Sequence, residues 1–182
     1  CAGLALEGAR FEVALPPAPP AEGAPCGLHG AETPEFRFSA NPGEALQPLR
    51  RVASGGELSR LFLALKNVLR RAGEGMVLVF DEVDAGIGGG VAERVGSLLA
   101  SLAAHHQVLC ITHLPQIAVH ADRHFRVAKA RRGGRTVTTV EPLDEAARVE
   151  EIARMAGGTE VREATRRHAR ALREAARKQK DS

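Results

Sequence analysis

Met76-Val-Leu-Val-Phe80 runs directly into Asp81 and Glu82. A short continuous apolar run reads as a strand buried on both faces of a parallel sheet. Two adjacent carboxylates then stand where that strand ends. In open parallel sheets, ligands bind at the carboxyl ends of the strands. One Asp there can hold Mg²⁺, usually through water, and a neighbouring Glu can orient or deprotonate an attacking water. Taken alone, the string is equally a strand opening into a loop.

On the N-terminal side, Leu58, Leu61, Phe62, Leu65 and Leu69 recur at helical spacing and predict an amphipathic helix of about 17 residues, ended by Gly73-Glu-Gly75. Ser54 and Glu57 form a capping-box pattern at its start. That pattern leaves Gly55 and Gly56 unexplained, because each weakens a helix by about 1 kcal/mol relative to Ala. Bare backbone N–H groups at a helix N-terminus suit an anion. On the C-terminal side, Val91, Val95, Leu98, Leu99 and Leu102 mark a second helix. Gln107-Val-Leu-Cys-Ile111 is a second buried strand that ends in Thr112 and His113, and Pro115 opens a short third helix. Strand–helix–strand alternation assigns the chain to the α/β class.

The flanks differ from this centre. Phe11-Glu-Val-Ala-Leu15 and Phe36-Arg-Phe38 predict two paired strands, separated by Pro16-Pro-Ala-Pro-Pro20 and a Gly- and Pro-rich loop. Phe125-Arg-Val127 and residues 136–140 predict two strands around Arg131-Arg-Gly-Gly-Arg135, and residues 144–156 and 160–178 read as helices divided by Gly157-Gly158. The division falls into residues 1–50 and residues 51–182. From Val161 to Ser182, eight Lys and Arg stand against three acids, a balance of 8 − 3 = +5. This tail is either a solvated helix face or a sequence-independent DNA-backbone contact.

Composition bounds the remaining possibilities. Aromatics are 3% with no Trp or Tyr, so the core of this 182-residue chain must be built from aliphatic residues around six Phe. The net charge of +3 permits phosphate contact without demanding it. Cys1, Cys26 and Cys110 are odd in number and widely spread, which excludes a disulfide framework and points to a reducing compartment. No apolar run reaches the ~18 residues that span a bilayer. A zinc site from His105, His106, Cys110 and His113 is disfavoured, since strand geometry sends alternate residues to opposite faces and no paired Cys-x-x-Cys element is present. The chain begins with Cys, and is expected to be a segment of something longer.

The order of these elements carries a resemblance. Ser54-Gly-Gly56 before a helix, a strand ending Asp81-Glu82 and a strand ending His113 resemble the C-terminal lobe of an ABC-type ATPase head. In that family these are the signature motif, Walker B and the switch histidine, and Asp84-Ala-Gly-Ile-Gly-Gly89 corresponds to the D-loop. Asn41-Pro-Gly-Glu44, Val52-Ala-Ser-Gly-Gly-Glu-Leu-Ser-Arg60, Thr112-His-Leu-Pro-Gln116 and Glu151-Ile-Ala-Arg-Met155-Ala-Gly-Gly158 narrow it to the SMC-like ATPases of bacterial double-strand break repair. The resemblance implies a partial P-loop NTPase-like parallel sheet with flanking helices over residues 51–182. Residues 1–50 would be the exit from a coiled coil, with a β-hairpin and a loop.

The resemblance also implies roles. Asp81 would bind Mg²⁺, Glu82 would activate the hydrolytic water and His113 would contact the γ-phosphate of ATP. Ser54, Gly55, Gly56 and Glu57 would belong to the surface that meets nucleotide held by a second head, and Asp84 would cross the head–head interface. The implied partners are an N-terminal lobe with Walker A and a coiled coil, a second head in an ATP-dependent homodimer, and DNA. The implied location is the cytoplasm, at the nucleoid, with no membrane. No Gly-x-x-x-x-Gly-Lys-Ser/Thr loop occurs in the chain, so it would hold half of a composite site and be inactive alone. Two other readings stand beside this one. The first is a non-hydrolysing nucleic-acid-binding or scaffolding module on the same fold, which would have no need of Glu82 and His113. The second is another SMC-like or transporter-type head.

Overall fold

The computed structural model describes residues 3–17, 26–27, 30–52, 54–69, 75–158 and 161–180. Strand β4 (Val77–Phe80) pairs in parallel with β5 (Gln107–Cys110), with Val77 opposite Gln107 and Phe80 opposite Cys110. A parallel pair needs a crossover, and α2 (Gly89–Ala103) supplies it. Leu78 and Phe80 join Leu61 and Leu63 of α1 (Gly55–Val68) and Val95, Leu99 and Leu102 of α2 in the main core. The opposite face of the strand pair is bare. Val77 and Val79 are 56% and 59% exposed, and Leu109 of the neighbouring strand and Ile111 just after it are exposed as well. The strands expected to be buried on both faces are therefore buried on one, because the helices of this chain cover only that side.

Helix α1 is also shorter than expected. It has 14 residues and ends at Val68, with Leu69 as its C-cap. Gly73, expected to stop it, lies outside the described residues. Its buried stripe runs through Gly56, Arg60, Leu61 and Leu63, whereas Leu58, Phe62 and Leu69 remain exposed. Phe62 still touches the core, its ring 5.6 Å from that of Phe80.

The first segment pairs as expected. β1 (Arg10–Ala14) runs antiparallel to β2 (Glu35–Ser39) with Phe11 opposite Phe38, and a two-residue β3 (Gln47–Pro48) adds an unforeseen third strand. Residues 18–25 of the Pro-rich loop lie outside the described residues. Leu4, Leu6 and Phe38 are buried in the same core as α1 and α2. The change at residue 50 is thus one of composition rather than a break in packing.

Beyond β5 comes the one-turn α3 (Pro115–Ala118), with Pro in its first turn. β6 (His124–Arg132) and β7 (Arg135–Leu143) then form an antiparallel ribbon. Its two-residue turn is Gly133-Gly134, with φ +56° and +77°, conformations that only glycine adopts freely. α4 (Glu145–Gly157) is N-capped by Asp144, which accepts from the Ala147 N–H at 2.8 Å. The left-handed Gly158 (φ 75°) closes it. α5 (Glu163–Lys180) packs on α4 through a smaller core of Ile152, Ala153 and Ala169. Arg148 is buried between these parts. Its guanidinium donates to the carbonyl oxygens of Ala121 and Asp122 and to Glu145 Oε1, tying the α3–β6 connection to α4. Among the described residues, no helix is long and apolar enough to cross a membrane.

Candidate functional site

The motif residues gather at one end of the molecule because α1 runs antiparallel to β4, which brings the start of the helix beside the end of the strand. Ser54 accepts from the Glu57 N–H at 3.3 Å and so caps α1. Ser59, one turn along, donates from Oγ to the Asp81 carbonyl at 2.8 Å. Arg60 is buried and donates from Nη1 to the Ala85 carbonyl at 2.9 Å. Burial lowers the pKa of this guanidinium, and the charge of Glu57 partly opposes that shift. Ser59 and Arg60 thus clamp the signature helix onto the segment after β4.

That segment has an unusual backbone. Glu82 adopts φ +56°, a left-handed conformation that costs a side-chain-bearing residue about 1–2 kcal/mol. Its carbonyl accepts from the Ala85 N–H at 3.0 Å, and its own N–H donates to Asp81 Oδ1 at 2.9 Å. The result turns the Glu82 carboxylate back toward α1. A Cβ built on Gly55 would lie 2.5 Å from Glu82 Oε2, and one on Gly56 would lie 2.9 Å from the Ala85 Cβ and 3.0 Å from the Glu82 carbonyl oxygen. Close approach of the Ala85 Cβ and the Glu82 backbone therefore requires glycine at residue 56, whereas at residue 55 the neighbour is the movable end of the Glu82 side chain.

Asp84 does not face outward. Its carboxylate is buried, and Oδ2 accepts from Thr112 Oγ1 at 2.6 Å and from the His113 N–H at 2.9 Å. The same oxygen lies 3.0 Å from His113 Nδ1. Asp84 is engaged within its own chain, where it links the end of β4 to the end of β5. The His113 side chain is 75% exposed, so its far nitrogen faces solvent while the near one is held. Asp81 and Glu82 are exposed as well. Cys110 is inert by contrast. Burial first, and then Asp84 and Asp81, push its thiol up to about 12.

Sequence reasoning missed Ser59, Arg60 and Thr112. The available signal was register: Arg60 lies four residues after Gly56 and so shares its buried face.

Among the described residues, no three His, Cys, Asp or Glu are placed to hold a metal ion. His105 and His106 precede β5 while Cys110 and His113 lie at or beyond its end, so the four residues of the zinc alternative do not converge. Asp81 fits a different kind of metal site. It is exposed at a strand end with one oxygen engaged by the Glu82 N–H and the other left over, which suits Mg²⁺ held by a single carboxylate, waters and phosphates.

The basic tail is largely neutralised within the chain. Arg166 pairs with Glu150 and Glu163, Arg170 with Glu163, Arg173 and Arg177 with Glu145, Lys178 with Glu174, and Lys180 with Asp122. These partners favour the reading of α5 as a packed, solvated helix.

No family model matches the chain. It is 50% identical to DNA repair protein RecN of Deinococcus radiodurans over 170 residues, which is 93% of this chain and 28% of that protein. It is 45% identical to DNA repair protein RecN of Bacillus subtilis over 157 residues, 85% of this chain and 27% of that protein. The chain thus spans under a third of the length of the curated relatives it matches. Among solved structures, the Smc head domain with a coiled coil and joint from Pyrococcus yayanosii superposes with a TM-score of 0.54 at 21% identity, covering 82% of this chain and 26% of that one. The Smc head domain from Pyrococcus furiosus, with an extended coiled coil and bound to the C-terminal domain of ScpA, gives 0.50 at 21% identity, covering 84% and 35%. The fold is that of an SMC-type head.

Proposed function

This chain belongs to the RecN family of DNA repair proteins, as the C-terminal lobe of an SMC-like ATPase head, and we propose that it supplies half of a composite ATP-hydrolysing site acting in double-strand break repair. The observation that carries this reading is the convergence of the capped start of α1, tied by Ser59 to the Asp81 carbonyl, with the end of β4, which Asp84 ties to Thr112 and His113 after β5. Three motifs distant in sequence meet there at the ends of two parallel strands.

The other half is a lobe bearing Walker A and the start of a coiled coil. The bare face of Val77, Val79, Leu109 and Ile111 supports its docking place. An apolar sheet face left in water is unstable unless something covers it, and covering it would complete the two-faced burial that the sequence predicts.

In the assembled head, Asp81 would hold Mg²⁺ against the nucleotide phosphates. Bound there, the ion would neutralise phosphate charge and so favour phosphoryl transfer. Glu82, freed from Gly55, takes a proton from the attacking water as general base. His113, with Nδ1 against Asp84, presents its outer nitrogen to the γ-phosphate region. Ser54, Gly55, Gly56 and Glu57 meet the nucleotide of a second head, so that ATP joins two heads and hydrolysis separates them. Coiled-coil arms convert that cycle into the holding or bridging of DNA in the cytoplasm. Asp84 positions the His113 loop within its own chain and, as part of the D-loop, lies toward the second head.

Titration calorimetry of this chain with Mg-ATP tests the half-site. No binding is expected, because the backbone cradle and its Lys are elsewhere. Micromolar affinity would overturn it.

A further inference from the structure

We propose that the tip of the β6–β7 ribbon is a docking surface for the phosphate backbone of duplex DNA. The inference rests on the DNA-repair reading above but concerns a surface remote in sequence from the signature, Walker B and D-loop motifs.

The ribbon carries cations without acids at its tip. From Ala128 to Thr139 the sequence holds Lys129, Arg131, Arg132 and Arg135 and no Asp or Glu. Lys129, Arg131 and Arg135 are exposed, and none forms an ion pair among the described residues. This contrasts with α5, whose cations are nearly all matched to carboxylates, and with Arg126 at the ribbon's base, which pairs with Glu141 at 2.8 Å. The register gives the tip a face. Lys129 stands opposite Thr138 and Arg131 opposite Thr136, so two cations and two hydroxyls share one side of the ribbon. Arg and Lys together with Thr hydroxyls are the donors that proteins turn toward phosphate oxygens.

Shape selects the partner further. Each strand is nine residues long, about 30 Å at the usual rise, and from Lys129 to Thr138 both faces are exposed at every described position. A two-stranded ribbon fits the major groove of B-form DNA, whereas the groove of an A-form RNA helix is too narrow. The tip bears no aromatic residue, so stacking on single strands has no platform. Burial of the tip against another part of the head is disfavoured, because desolvating three unmatched cations is expensive.

The test uses the complete protein and a duplex of ~30 base pairs, titrated from low to moderate KCl. The variant carries Lys129→Ala, Arg131→Ala and Arg135→Ala together. It should bind duplex at least about 10-fold more weakly near 0.1 M salt, and the log–log salt slope should flatten by between about two and three. ATP hydrolysis without DNA should be unchanged. Lys129→Gln with Arg131→Gln, a milder pair on the same face, should give about two-thirds of the slope change. Equal affinity and slope in wild type and both variants would overturn the inference while leaving the DNA-repair reading intact. A wild-type protein that fails to bind duplex would overturn both. Displacement of duplex by polyglutamate as readily as by competitor DNA would reassign the tip to acidic proteins and also overturn it.

Discussion

The Glu82 carboxylate lies against Gly55, so close that a methyl group on residue 55 would stand 2.5 Å from Oε2. In a single chain the proposed general base thus rests on the start of its own signature helix. A second head's γ-phosphate would have to arrive at the same helix end. Both groups are anionic and both favour that terminus. Engagement of the second head would therefore displace Glu82 from Gly55 toward the water it activates.

Gly55→Ala and Gly56→Ala should separate this contact from ordinary packing. At residue 55 the added methyl meets the end of a flexible side chain, which can swing away, so the thermal midpoint should move little while ATP hydrolysis by the complete protein changes. At residue 56 it meets the Ala85 Cβ and the Glu82 backbone, which cannot. Overpacking there should cost about 1–3 kcal/mol, lowering the midpoint by roughly 2–4 °C per kcal/mol in a chain of this size. Paired melting curves check the difference.

Asp84 is the hinge pin between β4 and β5. Asp84→Ala leaves Thr112 Oγ1 and the His113 N–H without their acceptor. Both donors are part-buried, so the loss of their shared acceptor should cost about 1–3 kcal/mol. Thr112→Ser keeps the hydroxyl that donates to Asp84 and accepts from the Leu114 N–H, and should cost less than Asp84→Ala. Chemical denaturation measures both, and a larger loss for Thr112→Ser than for Asp84→Ala would contradict the assignment.

Stability should fall in mild acid. Burial lowers the pKa of His120, with Glu93 opposing and Arg173 reinforcing the shift. Burial also lowers that of His124, with Arg148 and Arg173 reinforcing and Glu151 opposing. Both are neutral in the fold at pH values where the unfolded chain, with an ordinary value near ~6.5, is protonated. The unfolded state then binds more protons, so stability rises with pH across that window. It is fully present above about 6.5, falls as pH drops toward the lowered folded values, and the loss is complete below them. Urea midpoints at pH 7.5 and 5.5 should show the drop, and His120→Asn should reduce it.

The strands and helices near the chemistry were legible because their patterns are local: the apolar run into Asp81, the helical spacing through Leu102, the turn at Gly133-Gly134. The bare face of Val77 and Val79 was not, since an apolar residue reads the same whether this chain or another covers it. The pairing of Asp84 with Thr112 and His113 was not legible for a related reason, since it joins residues 28 and 29 positions apart in sequence. The tail's +5 was visible, but its partners Glu145, Glu150 and Asp122 lie outside it in sequence.

The central claim is that Glu82 is the general base of a head-to-head ATPase site, and steady-state ATP hydrolysis by the complete protein carrying Glu82→Gln tests it most directly. The substitution keeps size and hydrogen bonding but removes the charge that accepts the proton. Turnover should fall by a factor on the order of 10² or more, while ATP still binds and holds the heads as a dimer in light scattering. Normal hydrolysis by Glu82→Gln would contradict the account.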